Sequence, residues 1–318
     1  MKIGTRSSAM AMAQTTEIAA QLNATADVDA EIVQFNPRGD RDQVAKLDRH
    51  GGKGGAFVAE IRAAIREGTL HSAMHSLKDV PGDEETPGLV LGAYLKREAV
   101  EDALVLHPDF SIEEVTRSRG AGFKIGTNSV RRAAYLKRLF PECEVIHYRG
   151  AADTRIRKLD ERAMQKLPDG GEVGPADGLV MAASGLARVG LSERIAMIFS
   201  PAQMLPAVGQ GIVTVECKES DWDTRRLLEK IDDHETRLCA LAEREVLWFL
   251  NGHCNTPIAG HATIDGNKMR LDAAVLSLDG AQIIETSVDG HAAAPRELGR
   301  AAGLALLEKG AAALIAEM

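Results

Sequence analysis

Phe123-Lys124-Ile125-Gly126-Thr127-Asn128-Ser129-Val130-Arg131-Arg132 opens a stretch that runs on to Phe140, stops at Pro141 and resumes as Glu144-Val145-Ile146-His147-Tyr148. Phe123 to Gly126 reads as a strand, Ser129 to Phe140 as a helix and Glu144 to Tyr148 as a second strand. Proline lacks the amide hydrogen a helix interior needs, so Pro141 ends the helix. Strand, helix and strand in succession form the unit of a parallel or mixed sheet covered by helices. The apolar run Gly178 to Ala183 adds a further strand to this lobe.

The same alternation occurs upstream. Lys2-Ile3-Gly4 reads as a strand, followed by a helix to about Asn23 with Ala11, Thr15, Ile18 and Leu22 on one face; Val28 to Phe35 is a strand, Phe57 to Glu67 a helix and Ser72 to His75 a strand. Ile212 to Cys217 is strand-like and is expected to return to this first lobe, with crossings near Lys96-Arg97-Glu98 and Ser200-Pro201 as hinges. The fold class expected is therefore α/β, two similar lobes with hinge crossings as in periplasmic binding proteins. From Glu219 helices precede short strands, Leu271, Ala273 and Val275 alternate with polar neighbours, and Asp265-Gly266 and Asp279-Gly280 supply hairpin turns. With a helix from Pro295 onward, this is an α+β domain with a small antiparallel sheet. The expected domains are 1–96 with 200–218, 97–199 and 219–318, and Pro168 to Pro175 reads as an exposed loop.

The 318 residues are 45% hydrophobic and 26% charged, the composition of a globular protein. No basic, apolar leader and no membrane-length apolar run is evident, so a cytoplasmic protein without a membrane partner is expected. A net charge of -8 argues against nucleic acid as a partner. Cys143, Cys217, Cys239 and Cys254 match neither a disulfide framework nor a metal site, and His50, His71, His75 and His234 show no metal-ligand spacing. No metal is expected, and the chain is expected to be a monomer.

Within this acidic chain, arginines gather at strand-to-helix junctions. Asn128 or Ser129 can cap the helix that carries Arg131 and Arg132 in its first turn, where positive charge opposes the helix dipole. An anion bound there would remove the conflict, with backbone amides, Ser129 and two guanidiniums converging on a carboxylate or phosphate. Arg6 with Ser7 and Ser8 repeats the arrangement, and Arg149, Arg155 and Arg157 follow the strand ending at Tyr148. Solvated surface arginines are the alternative for any single position. His75-Ser76-Leu77-Lys78-Asp79-Val80-Pro81 puts an acid beside a lysine at the end of a strand, where it can stabilise a developing cation or serve as a structural ion pair. Gly51-Gly52-Lys53-Gly54-Gly55 fits a lid, an anion loop or a plain connection. Cys254, in Gly252-His253-Cys254-Asn255-Thr256-Pro257, follows a long helix. From this segment alone it is either a covalent attachment point or a small buried hydrophobe.

Ile3 to Ser8, the Gly-Gly-Lys-Gly loop, His75 to Pro81, Gly126 to Arg132, Arg149-Gly150 with Thr154-Arg155, Leu205 to Gly211 and Gly252 to Ile258 occur in the order seen in the porphobilinogen deaminases, also called hydroxymethylbilane synthases, and the whole chain resembles that family. The resemblance implies a three-domain transferase of tetrapyrrole (haem) biosynthesis. Such an enzyme condenses four porphobilinogen molecules head to tail with release of ammonia, on a dipyrromethane cofactor held by a thioether. It further implies that Cys254 is the attachment point, Asp79 the catalytic acid, and Lys78, Asp79, Ser129, Arg131 and Arg132 the cofactor's contacts. Arg6, Ser8, Lys53, Phe57, Arg149, Arg155, Arg188 and Gln210 are implied to face substrate.

His253 replaces the family's usual glycine, Asn128 a serine, the glycine loop is one residue longer, and 167–178 looks inserted. These changes leave the chemical groups in place but bear on Lys53 and the fit of the loop. Two other classes share part of the pattern. A two-lobed solute-binding protein would need neither Cys254 nor Asp79, and a thiol hydrolase would need a base better placed than His253 beside the thiol.

Overall fold

The computed structural model describes residues 1–26, 28–35, 55–82, 86–167, 170–252 and 255–317, with only the backbone at 55–57. The first sheet is built from β1 (Lys2–Arg6), which leads into α1 (Ala9–Ala26), then β2 (Glu31–Phe35), α2 (Gly55–Glu67), β3 (Ser72–Ser76) and β4 (Leu89–Tyr94). β1 runs parallel to β2 on one side and β3 on the other. Ala11, Thr15, Ile18 and Leu22 of α1 are buried, the last three completely, because a helix with one apolar stripe must turn it onto the sheet.

The second sheet uses β5 (Asp102–Leu106), α3 (Ile112–Arg117), β6 (Lys124–Gly126), α4 (Val130–Leu139), β7 (Glu144–Ile146), α5 (Ala152–Asp160), a small antiparallel pair β8 (Gln165–Lys166) and β9 (Glu172–Val173), then β10 (Gly178–Ala182), α6 (Ala183–Arg188) and β11 (Ile195–Phe199). Its order is β11-β5-β10-β6-β7, with β6 parallel to both neighbours and β5 antiparallel to β10.

β12 (Val213–Lys218) lies antiparallel between β3 and β4, so the first sheet reads β2-β1-β3-β12-β4. The next helix, α7 (Trp222–Glu229), packs Leu228 among Ala93, Val215 and Cys217. Residues just beyond 218 thus share the first lobe's core.

The remaining chain forms α8 (His234–Phe249), β13 (Ile258–Asp265), β14 (Lys268–Leu276), β15 (Ile283–His291), α9 (Pro295–Glu308) and α10 (Ala311–Ala316). The three strands make an antiparallel meander, and Leu271, Ala273 and Val275 face Val246 of α8 and Leu298, Ala302 and Leu306 of α9. The molecule is thus two α/β lobes plus an α+β domain with a small antiparallel sheet.

That last domain is fastened to both lobes. Ala259, Ala274 and Leu276 share a core with Tyr135 and Phe199 of the second lobe and with Leu205 of the crossing that follows it. At the β14–β15 turn, Lys137 Nζ donates to the Leu278 carbonyl at 3.3 Å and an Arg138 Nη to that of Gly280 at 3.0 Å. A Cβ on Gly280 would come within 2.3 Å of the Ala134 carbonyl oxygen, so only glycine allows this approach. On the other side Glu243 of α8, fully buried, pairs with Arg97 and accepts the amides of Gly209 (2.7 Å) and Ala262 (2.8 Å). One carboxylate thereby joins both chain crossings between the lobes to the C-terminal sheet.

Candidate active site

β3 ends in a single 3-10 turn, Leu77–Asp79. The Leu77 amide donates to the Ile212 carbonyl at 2.9 Å, and Leu77 and Val80 are both buried. With its neighbours anchored inward, Asp79 is turned out into solvent and makes no hydrogen bond or ion pair among the described residues. Just after it, Arg244 of α8 donates to the carbonyls of Val80 (3.0 Å) and Pro81 (2.8 Å), fixing the path of the loop.

Around Asp79 stand three cations. Burial first, then the charge of Arg132, brings Lys78 down to about 8, with Asp79 pulling the other way. Burial and then Arg132 also lower Arg155, to about 10, and Asp79 again opposes the shift. Arg132 itself is lowered by burial, against the upward pull of Asp102 and, more weakly, Asp79. Asp79 is therefore within electrostatic reach of Lys78, Arg132 and Arg155. Arg155 also has an unmet need: its Nε is buried and has no hydrogen-bond partner among the described residues. A buried guanidinium N–H without an acceptor is costly, and an incoming carboxylate would satisfy it.

An external anion is what the sequence suggests for Arg131 and Arg132, but the chain itself supplies one. Asp102, at the head of β5 and fully buried, accepts from Arg131 at 2.6 Å, from Arg132 Nε at 2.9 Å and from Gln210 Nε2 at 3.0 Å. Burial alone would raise its pKa; the two guanidiniums outweigh that and hold it at about 2. Arg131 also donates to the Leu205 carbonyl at 2.7 Å. The conflict between α4's dipole and its first-turn arginines is thus met internally, and the group keeps one net positive charge, two guanidiniums against one carboxylate. Ser129 caps α4 by accepting the Arg132 amide at 3.4 Å.

Other expected residues divide in the same way. Gln210 is fully buried and commits its amide nitrogen to Val100 and Asp102, so it braces the arginines instead of facing a ligand. Arg188 pairs with Glu98 at 2.6 Å and approaches Glu17 at 3.8 Å, linking the second lobe to a chain crossing and to α1. Arg6, Ser8 and Arg149 are half-buried, and Ser8 Oγ accepts the Ala11 amide at 3.3 Å at the start of α1. A crevice of about 30 Å³ between the lobes is lined by Gln14, Ser76, Lys78, Ser184 and Arg188. Lys53, His253, Cys254 and the side chain of Phe57 lie outside the described residues. Burial pushes the thiols of Cys143 and Cys217 to about 11 and that of Cys239 to about 12, too high for any of the three to act as a nucleophile near neutral pH.

The family model "Porphobilinogen deaminase, dipyromethane cofactor binding domain" matches residues 1–226, and the family's C-terminal domain matches 237–308. The chain belongs to the porphobilinogen deaminase family. It is 35% identical to the porphobilinogen deaminase of Syntrophobacter fumaroxidans, covering 100% of this chain and 97% of that one. It is 37% identical to porphobilinogen deaminase 2 of Streptomyces coelicolor, covering 99% and 96%. Among solved structures, a periplasmic substrate-binding protein of an ABC transporter from Coxiella burnetii matches at a TM-score of 0.42 and 13% identity, over 73% of this chain and 91% of that one. A nutrient-binding protein from Burkholderia cenocepacia bound to methionine matches at 0.41 and 12%, with the same coverage. Like other porphobilinogen deaminases, the chain is a transferase of tetrapyrrole biosynthesis that uses porphobilinogen and carries a dipyrromethane cofactor. No helix among the described residues is long and apolar enough to cross a membrane.

Proposed function

We propose that Asp79, Lys78 and Arg155 form the working face of this porphobilinogen deaminase, with Arg131, Arg132, Asp102 and Gln210 as its cationic floor and Cys254 as the anchor. The observation that carries the reading is the lone carboxylate of Asp79 among Lys78, Arg132 and Arg155. Each pyrrole of substrate or cofactor brings two carboxylates, so a polyanion must be held by an acidic protein, and only a local excess of cations can do this. The donor set fits: Lys78 supplies a half-buried ammonium and Arg155 an unsatisfied Nε. Arg6, Ser8, Arg149 and Ser129 extend the same polar lining, Arg188 closes it between the lobes, and Lys53 and Phe57 are proposed on the family pattern alone.

When bound, the dipyrromethane supplies a tethered acceptor pyrrole at high effective concentration. The protein's own part follows from charge. As ammonia leaves porphobilinogen, positive charge develops on the substrate. The Asp79 carboxylate, already unpaired, stabilises it without first breaking a bond of its own. One preorganised group of this kind contributes about 3 kcal/mol. Lys78, Arg155 and the net charge of the floor hold the substrate's acetate and propionate groups, which fixes the reacting carbon near Asp79.

The raised thiol pKa values of Cys143, Cys217 and Cys239 support Cys254 as the attachment point. Sheet membership supports domains 97–199 and 1–96 with 200–218, the latter extended to take in α7, and a C-terminal domain from about residue 233. A cytoplasmic, metal-free monomer completes the reading. Intact mass spectrometry of wild type and Cys254→Ser, before and after porphobilinogen, tests it. Wild type should carry two pyrrole units and gain further ones, whereas Cys254→Ser should carry none. An adduct retained by Cys254→Ser would remove the anchor from this account.

A further inference from the structure

A groove of about 610 Å³ lies between β4 and the helices α7, α8 and α9, sharing no lining residue with the crevice between the lobes. Its floor is apolar, made by Val90, Leu91, the ring of Tyr94 and Leu241. Its rim carries Arg225, Arg237, Arg244 and Arg296 against Glu229 and Asp232, four positive groups facing two negative ones in a chain of net charge -8.

The four arginines are not equally engaged. Arg237 is neutralised by Asp232 at 2.8 Å and stacks over the Tyr94 ring, 4.9 Å from its centroid. Arg296 reaches Glu245 at 2.8 Å from an exposed position, and Arg225 lies over the Trp222 ring at 4.3 Å while donating to the Glu219 carbonyl. Among the described residues Arg244 donates to the backbone carbonyls of Val80 and Pro81 and has no carboxylate partner. Tyr94 is 4% exposed, yet its hydroxyl makes no hydrogen bond among the described residues. Burial raises its pKa, against the opposing pull of Arg244, Arg237 and Arg296, and Tyr94 lines the groove beside these guanidiniums. A phenol hydroxyl that no acceptor among the described residues engages, at a groove rimmed by guanidiniums, is free to donate to an anion.

We propose that this groove binds a small organic anion, with an apolar or aromatic body on the β4 floor and a carboxylate or phosphate held by the Tyr94 hydroxyl, Arg225, Arg244 and Arg296. The volume is that of a small-molecule site, and the pairing of an apolar floor with a few convergent polar groups is how such sites are built. Inorganic anions would leave the floor unused. The site does not depend on the catalytic reading, since its ligand is detected by binding alone.

Calorimetric titration of the full-length holoenzyme with phthalate, and separately with phenyl phosphate, tests the proposal and tells the two headgroups apart. At least one should bind saturably with a dissociation constant below about 1 mM. Tyr94→Phe should weaken it several-fold, and the double variant Arg225→Gln/Arg296→Gln about tenfold, as expected for loss of charge-assisted contacts. No saturation with either probe, or affinity unchanged in the double variant, would overturn the proposal, the latter by placing the binding elsewhere.

Discussion

Arg97 and Glu243 form a buried ion pair between a chain crossing and the C-terminal domain, and the same carboxylate accepts the Gly209 amide from the second crossing. Glu243 has no solvent to replace these partners. Glu243→Ala should therefore lower stability by about 3 to 5 kcal/mol, the cost typical of leaving one half of a buried pair alone. Chemical denaturation of both proteins, with the cofactor present, measures it. A loss below about 1 kcal/mol would mean that the junction is held by apolar packing.

Asp79 is bonded to nothing among the described residues, so its replacement should spare the fold. Asp79→Asn should melt within a few degrees of wild type while turnover falls by about a hundredfold, equivalent to about 3 kcal/mol of charge stabilisation. Steady-state formation of hydroxymethylbilane, read beside thermal melting, checks both halves. Near-normal turnover would remove Asp79 from the chemistry.

Asp102 behaves oppositely, since Arg131, Arg132 and Gln210 all depend on it. Asp102→Asn should destabilise the protein and release the arginines, altering stability and ligand affinity together. The pH dependence has a definite sign. The native pKa is depressed to about 2 from the ordinary 3.8, so the wild-type stabilisation is complete above about pH 4 and is lost as pH falls towards 2. Wild type and Asp102→Asn should converge in stability across that window, as urea titrations at pH 5, 4 and 3 would reveal.

Lys78 titrates near 8 in the ligand-free cleft. A bound carboxylate favours the ammonium and raises that value, so binding takes up protons above pH 8. Affinity for porphobilinogen should be constant below about pH 7.5 and weaken as pH climbs through 8 towards 10. Lys78→Arg keeps its charge there and should flatten that limb, and an unchanged alkaline limb in that variant would assign it to another group.

Much of this architecture was legible in the chain. The β-α-β run from Phe123 to Tyr148 and the buried stripe of α1 follow from periodicity, and Lys78-Asp79 is legible as an acid beside a lysine at the end of a strand, though its outward turn is not. Less legible were β4, β5 and β11. Asp102–Leu106 is buried on both faces, so it has no alternation to read. The largest omission was Asp102 itself. Its partners Arg131 and Arg132 lie about 30 positions away on a helix, and no local pattern reports such a contact. An acid heading a wholly apolar run was the one available sign, and Glu243, among Cys239, Ala242 and Val246 on α8, gave a similar one. Gln210 was drawn into the ligand set by its place in a shared motif, whereas its full burial gives it a supporting role.

The docking of the β14–β15 turn against α4, together with Arg244 on the loop after Asp79, constrains how the enzyme can breathe. A clamshell that swung wide would have to tear one of these fastenings, because the third domain grips each shell. Space for a lengthening oligomer must then come from local shifts of side chains and connecting segments, with the gap between the shells staying nearly constant.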